Sequence, residues 1–221
     1  MTTRPFMLTR REAVLSLTAT ALAGIAGVGI VSPASAQQSF STEALAVAGP
    51  LGDAALGPAD AKVTIIEYAS LTCSHCATFH ATTYPALKEK YVDTGKVRFI
   101  LREFPLDPLA IAGFMLARAN NSERYYPITD LLFDRQRTWA FTEKPLDALF
   151  ETVKQAGFSQ ESFEATLKDQ NLYQGILQVR ERAEKEFAVN STPTFFVNGQ
   201  KLLGAQSIDQ LSAVIDPLLA N

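Results

Sequence analysis

Val63-Thr64-Ile65-Ile66-Glu67-Tyr68-Ala69-Ser70-Leu71-Thr72-Cys73-Ser74-His75-Cys76-Ala77-Thr78-Phe79-His80 changes character halfway along. Val63 to Tyr68 is β-branched and apolar, the pattern of a buried strand. Ala77 to Tyr91 has helical spacing, with Cys76, His80, Tyr84, Leu87 and Tyr91 on one stripe. Pro85 falls inside that helix and predicts a kink near Ala81. The only two cysteines, Cys73 and Cys76, and the only two histidines, His75 and His80, lie within eight residues of one another. Reactive residue types this rare, gathered at a strand-to-helix turn, mark the place where the chain does its chemistry.

The turn sets Cys73 on the first turn of the helix, where unpaired N–H groups and the positive end of the dipole converge. That field stabilises a thiolate, so the Cys73 pKa is expected well below the ~8.5 of free cysteine. Cys76, deeper in the turn, is expected to remain a protonated thiol. Ser74 and a positively charged His75 offer further donors. Favouring the thiolate favours the dithiol and makes the disulfide a stronger oxidant. A depression of three or four pKa units corresponds to roughly 90–120 mV. Two other uses of the pair stay open. A permanent disulfide would close too small a loop to constrain much of the chain. Cys73, Cys76 and His80 project within about 60° of one another on an ideal helix, which suits a soft cation. Structural zinc normally takes four ligands, and no fourth is evident.

Two further segments complete a pattern: Arg102-Glu103-Phe104-Pro105 and Ser191-Thr192-Pro193-Thr194-Phe195-Phe196-Val197-Asn198-Gly199. With Ile65 to His80 in front of them, the sequence resembles the DsbA-like branch of the thioredoxin superfamily. It departs from that branch at Ser74, where proline is commonest. The resemblance implies an α/β, thioredoxin-like fold with an inserted helical subdomain. The thioredoxin core would occupy about 44–106 and 188–221, and the insertion about 107–187. The alternation of the strand alone permits an exposed Glu67. The resemblance implies a buried one, able to pass a proton to or from Cys76. It also implies a cis Thr192–Pro193 bond facing Cys73, whose backbone pairs with an extended substrate. The residues alone also allow an ordinary turn proline, placed at a strand start because proline is disfavoured inside a sheet.

The expected catalytic set is therefore Cys73, Cys76, His75 and Glu67, with Thr192, Pro193 and Ser74 contacting substrate. No metal is expected, and no cofactor beyond the Cys73–Cys76 disulfide. The implied activity is an exported thiol–disulfide oxidoreductase that donates its disulfide to cysteine-containing secreted proteins and is reoxidised by a membrane disulfide-generating oxidase. Two alternatives are an isomerase or reductase on the same fold, and a copper- or zinc-binding chaperone using Cys73, Cys76 and His80.

The remaining chain fits this frame. Among its 221 residues, 47% are hydrophobic and 19% charged, which suits one globular domain. A net charge of −3 without a basic stripe points away from nucleic acid. Arg4, Arg10 and Arg11, then an uncharged run from Ala13 to Val31, then Ala34-Ser35-Ala36, read as a signal peptide over 1–36. An uncleaved anchor is the alternative. Cleavage would remove three arginines and Glu12, leaving 185 residues at net charge −5 in the periplasm. Thr9-Arg10-Arg11 suggests the twin-arginine route, though Ala13 stands where a bulky residue is usual.

Ala44 to Val47 is expected as an edge strand, and Lys96 to Leu101 as a strand ended by Glu103, read as a solvated strand end rather than a second carboxylate near the dithiol. From Asp107 to about Phe187 helical stripes recur, with helix starts at Pro145 and Ser159. Trp139 is expected to be packing, and Arg180, Glu181, Arg182 and Glu184 the wet side of the last inserted helix. Asn198-Gly199 predicts a hairpin into Gln200 to Leu203, and Ile208 to Leu218 a final helix.

Overall fold

A computed structural model of the chain describes residues 39–220. The expected signal peptide therefore lies outside the described residues. The sheet has five strands in the order β1-β3-β2-β4-β5: β1 Ala55–Leu56, β2 Val63–Ala69, β3 Val97–Glu103, β4 Thr194–Val197 and β5 Gln200–Leu203. The strands β2 and β3 are parallel, paired from Val63↔Val97 to Ala69↔Glu103. Such pairing needs a crossover, and the redox helix supplies it. The other neighbours are antiparallel.

Both faces of β2 are covered, which is why its apolar run is nearly continuous. Ile65 and Ala69 point to the larger core with Val97, Phe99, Leu101 and Phe195. Ile66 and Tyr68 point to the opposite core with Ile100 and Phe196. Alternation puts Glu67 on the same face as Ile65 and Ala69, under the redox helix. The α/β thioredoxin-like fold read from the sequence is the one observed.

The expected edge strand at Ala44 to Val47 is instead helix α1, Thr42–Ala46. The Ser41 side chain accepts from the N–H of Ala44, and Glu43 sits in the first turn. Capping and alanine-rich propensity outweigh the short apolar run. One edge of the sheet is β1, and at the opposite edge a single bridge joins Ser39 to Gln200 of β5.

The redox helix is interrupted. It runs as α2, Ser74–Thr82, breaks at Thr83, resumes as α3, Tyr84–Leu87, and widens into a π-helical turn over Lys88–Val92. Pro85 lacks the N–H that would bond the carbonyl of Ala81, which accounts for a break two residues before it. Between β3 and β4 the described residues form only helices and turns. These are α4 Pro108–Arg118, α5 Tyr125–Asp134, α6 Gln136–Trp139, α7 Pro145–Lys154, α8 Gln160–Leu167 and α9 Gln170–Phe187. Asp107 caps α4, and a Ser159–Ser162 capping box starts α8. Trp139 is fully buried, and its indole N–H donates to the Leu132 carbonyl. Asn198 and Gly199 turn with φ of 42° and 86°, the left-handed values such a hairpin requires. The chain closes with α10, Ile208–Ala220.

Glu103 overturns its expectation. It is fully buried, and Arg118 Nε donates to its Oε1 at 2.5 Å. A charge at a strand end looks solvated from sequence, and only the position of α4 brings an arginine over it. Arg182 also does more than face water, donating to the carbonyls of Val47 and Ala44 at 2.6 and 2.7 Å. This satisfies acceptors at the C-terminal end of α1.

Candidate active site

The chain leaves β2 at Ala69, crosses Ser70 to Thr72 and enters α2 with Cys73 as its N-cap residue. Three contacts hold the crossing. The Thr72 hydroxyl donates to Asp107 at 2.6 Å, and the N–H of Leu106 donates to Ser70 Oγ at 3.2 Å. Buried Gln136 reaches in from α6 and donates to the carbonyls of both Leu71 and Cys73, at 2.8 and 2.9 Å. The inserted helices thereby fix the loop that carries Cys73.

Both cysteines are free thiols. Cys73 keeps 8% of its surface exposed and Cys76 none. The Cys73 thiol is drawn from an ordinary 9.0 down to about 5. The largest cause is the hydrogen bond it receives from the Cys76 thiol. Burial opposes this, and the Thr192 side chain and the N–H groups of Cys76 and His75 lower it further. Those N–H groups are first-turn donors that the helix leaves unused. Cys76 moves the other way. Burial pushes its thiol well up, and its bond to Cys73 and the charge of Glu67 act in the same direction. The two sulfurs three residues apart are thus driven to opposite protonation states.

The Thr192–Pro193 bond is cis, and Pro193 immediately precedes β4. The Thr192 carbonyl lies 3.3 Å from Cys73 Sγ and accepts from the thiol. That contact favours the protonated form, whereas the Thr192 side chain favours the thiolate. Pro193 is held from behind, since its carbonyl accepts from the N–H of Gly204 at 2.9 Å.

Glu67 is fully buried, and its Oε2 lies 3.0 Å from His80 Nε2. His80 shares the helix stripe of Cys76 and Tyr84 and was a candidate cation ligand with the two cysteines. It is buried, stacked on Phe133 with 4.0 Å between ring centroids, and turned to Glu67. Among the described residues no group of three histidine, cysteine or acidic side chains converges as a metal site. Ser74 and His75 are exposed beside Cys73. The contribution of His75 to the sulfur comes through its backbone.

Four residues escaped the sequence reading. Asp107 had a signal, because an acid before Pro108 is a helix cap. Ser70 and Thr72 sat in the crossing itself. Gln136 carried none, since a lone glutamine in a helical stretch reads as solvated.

The thioredoxin family model matches residues 51–217. The crystal structure of alpha-DsbA1 from Wolbachia pipientis shares 30% identity at a TM-score of 0.74, covering 82% of this chain and 96% of that one. BdbD from Bacillus subtilis shares 18% at a TM-score of 0.68, covering 84% of this chain and 98% of that one, a likeness of fold. A protein of Rickettsia bellii named "Putative protein-disulfide oxidoreductase" is 32% identical over 165 residues, 74% of this chain. This chain spans 63% of that relative's length. With Cys73 and Cys76 heading α2 opposite a cis Thr192–Pro193 bond, the chain belongs to the DsbA-like branch of the thioredoxin superfamily.

Proposed function

We propose that the protein is an exported thiol–disulfide oxidoreductase that donates the Cys73–Cys76 disulfide to cysteines of secreted proteins. The observation that carries this reading is the split between the sulfurs, with Cys73 at about 5 and Cys76 pushed well up. A substrate thiolate attacks Cys73 Sγ, the Cys73–Cys76 bond breaks, and Cys76 leaves with the electron pair and takes up a proton. A second substrate thiolate attacks the substrate sulfur of the mixed disulfide. Cys73 then departs as a thiolate, which its surroundings stabilise. Two substrate thiols are oxidised to one disulfide, and the enzyme disulfide is reduced to a thiol and a thiolate.

Thr192 and Pro193 offer backbone to an extended substrate segment, and exposed Ser74 and His75 flank the attack path. A membrane oxidase restores the disulfide, and the periplasm is the compartment where such a donor operates. Among the described residues no helix is long and apolar enough to cross a membrane.

The test is the equilibrium potential against glutathione. A donor is expected well above thioredoxin, toward the ~−120 mV that marks a strong oxidant. A value near ~−270 mV would instead favour a reductase.

A further inference from the structure

When the Cys73–Cys76 bond breaks, Cys76 needs a proton, yet its sulfur is sealed from solvent. Glu67 acts on Cys76 through its charge and keeps Oε1 buried without a hydrogen-bond partner. Its other oxygen is on His80 Nε2 at 3.0 Å. His80 continues the series. Its Nδ1 is buried without a hydrogen-bond partner and lies 4.0 Å from Asp130 Oδ1 on α5. Asp130 has 48% of its side chain in solvent. His80 and Asp130 line a cavity of about 300 Å³ with Tyr84, Pro85, Lys88 and Phe133. A 4.0 Å separation is one that a single water closes, and the cavity has room for several.

We propose that protons reach Cys76 along Glu67, His80 and Asp130, entering from the cavity between α2, α3 and α5. The inference rests on the exchange activity proposed above. Imidazole suits the middle position, because one nitrogen accepts a proton while the other gives one up. As the Cys73–Cys76 bond opens, the Glu67 carboxyl gives its proton to the Cys76 thiolate. Glu67 then takes a proton from His80 Nε2, and His80 Nδ1 recovers one from the Asp130 side. One proton enters from solvent and one S–H bond forms. During reoxidation the same path carries the proton out. His80 and Asp130 are positioning and relay residues and never touch substrate.

Groups from several elements face His80. Glu67 faces it from β2 and Asp130 from α5, while Tyr84 of α3 packs its ring 4.8 Å away. Lys88 and Asp134 share the cavity wall. Phe133 shields the ring face.

The experiment is single-turnover oxidation of a dithiol peptide by the oxidised protein, followed across pH, for the wild type, His80→Gln, His80→Ala and Asp130→Asn. Glutamine can keep a hydrogen bond to Glu67 but cannot relay a proton. His80→Gln is expected to slow the step about tenfold or more and to flatten its pH profile, with the Cys73 thiolate titration unchanged. Added imidazole is expected to restore rate to His80→Ala. Asp130→Asn alters a half-exposed side chain, keeps the fold, and is expected to slow the step about threefold with a shifted profile. Wild-type rates and profiles in both His80→Gln and Asp130→Asn would overturn the relay. A wild type that fails to oxidise the peptide would overturn the exchange reading itself.

Discussion

Two fully buried carboxylates stand on neighbouring strands, and they are put to opposite uses. Glu103 on β3 meets Nε of Arg118, a permanent cation whose Nη1 donates to the carbonyls of Leu51 and Gly52 and to the Ser122 hydroxyl. Glu103 holds that guanidinium charged even though burial works against it. Glu67 on β2 meets His80, which can be charged or neutral and borders a cavity. Each leaves one carboxylate oxygen without a partner. An arginine never releases its proton, so the first pair can only clamp the insertion to the sheet. A histidine releases one readily, so the second pair can serve chemistry. Both acids are fully buried, and the partner decides the role.

The largest effect should come from breaking the clamp. Arg118→Met leaves Glu103 buried and uncompensated, at a cost of about 3–5 kcal/mol in denaturant unfolding. Adding Glu103→Leu should recover most of that loss. A double variant no more stable than the single would show that the clamp is not a charge pair.

Glu67→Gln should do the reverse, changing stability by only about 1–2 kcal/mol while slowing exchange about 10–100-fold. Equal rates for Glu67→Gln and wild type at every pH would erase the distinction between the two pairs.

A pH series sharpens the chemical side. The folded Cys73 value of about 5 lies below the unfolded ~8.5. A depressed group stabilises the reduced fold fully above the unfolded value, and that contribution disappears as pH falls through the folded one. The oxidised protein lacks the thiol. Reduced protein should therefore lose stability relative to oxidised protein between about pH 8.5 and 5, as thermal unfolding of both forms would reveal. A constant difference over that window would contradict the site description.

The last variant tests the link between insertion and loop. Gln136→Ala removes two hydrogen bonds to the carbonyls of Leu71 and Cys73 and should cost about 1–3 kcal/mol. Exchange kinetics should slow with it, because the loop that carries Cys73 loosens. Unaltered stability and rate would mean the loop is held without α6.

The contrast between the pairs also marks where sequence reading stops. Short-range features were legible: the strand from Val63, the break ahead of Pro85, the Asn198–Gly199 hairpin and the helices after Asp107 each carry their own turn or period signal. The two cysteines announced themselves by rarity. The burial of Glu67 was legible only through family resemblance, because alternation is silent about which faces are covered. Glu103 misled for a related reason. Its partner lies 15 residues on, and nothing local says that α4 lays Arg118 across it. Gln136 contacts backbone 63 and 65 residues away, a pairing no local pattern encodes. The segment 44–47 failed differently, since Ser41 and the alanines were there to be read as a capped helix.

The account rests on opposite ionisation of two neighbouring sulfurs, and thiolate ultraviolet absorbance of the reduced protein measures it directly. One group titrating near pH 5, lost in Cys73→Ser, with no second thiolate until well above neutrality, is the predicted result. A Cys73 that ionises near the ~8.5 of an unstructured peptide would contradict it.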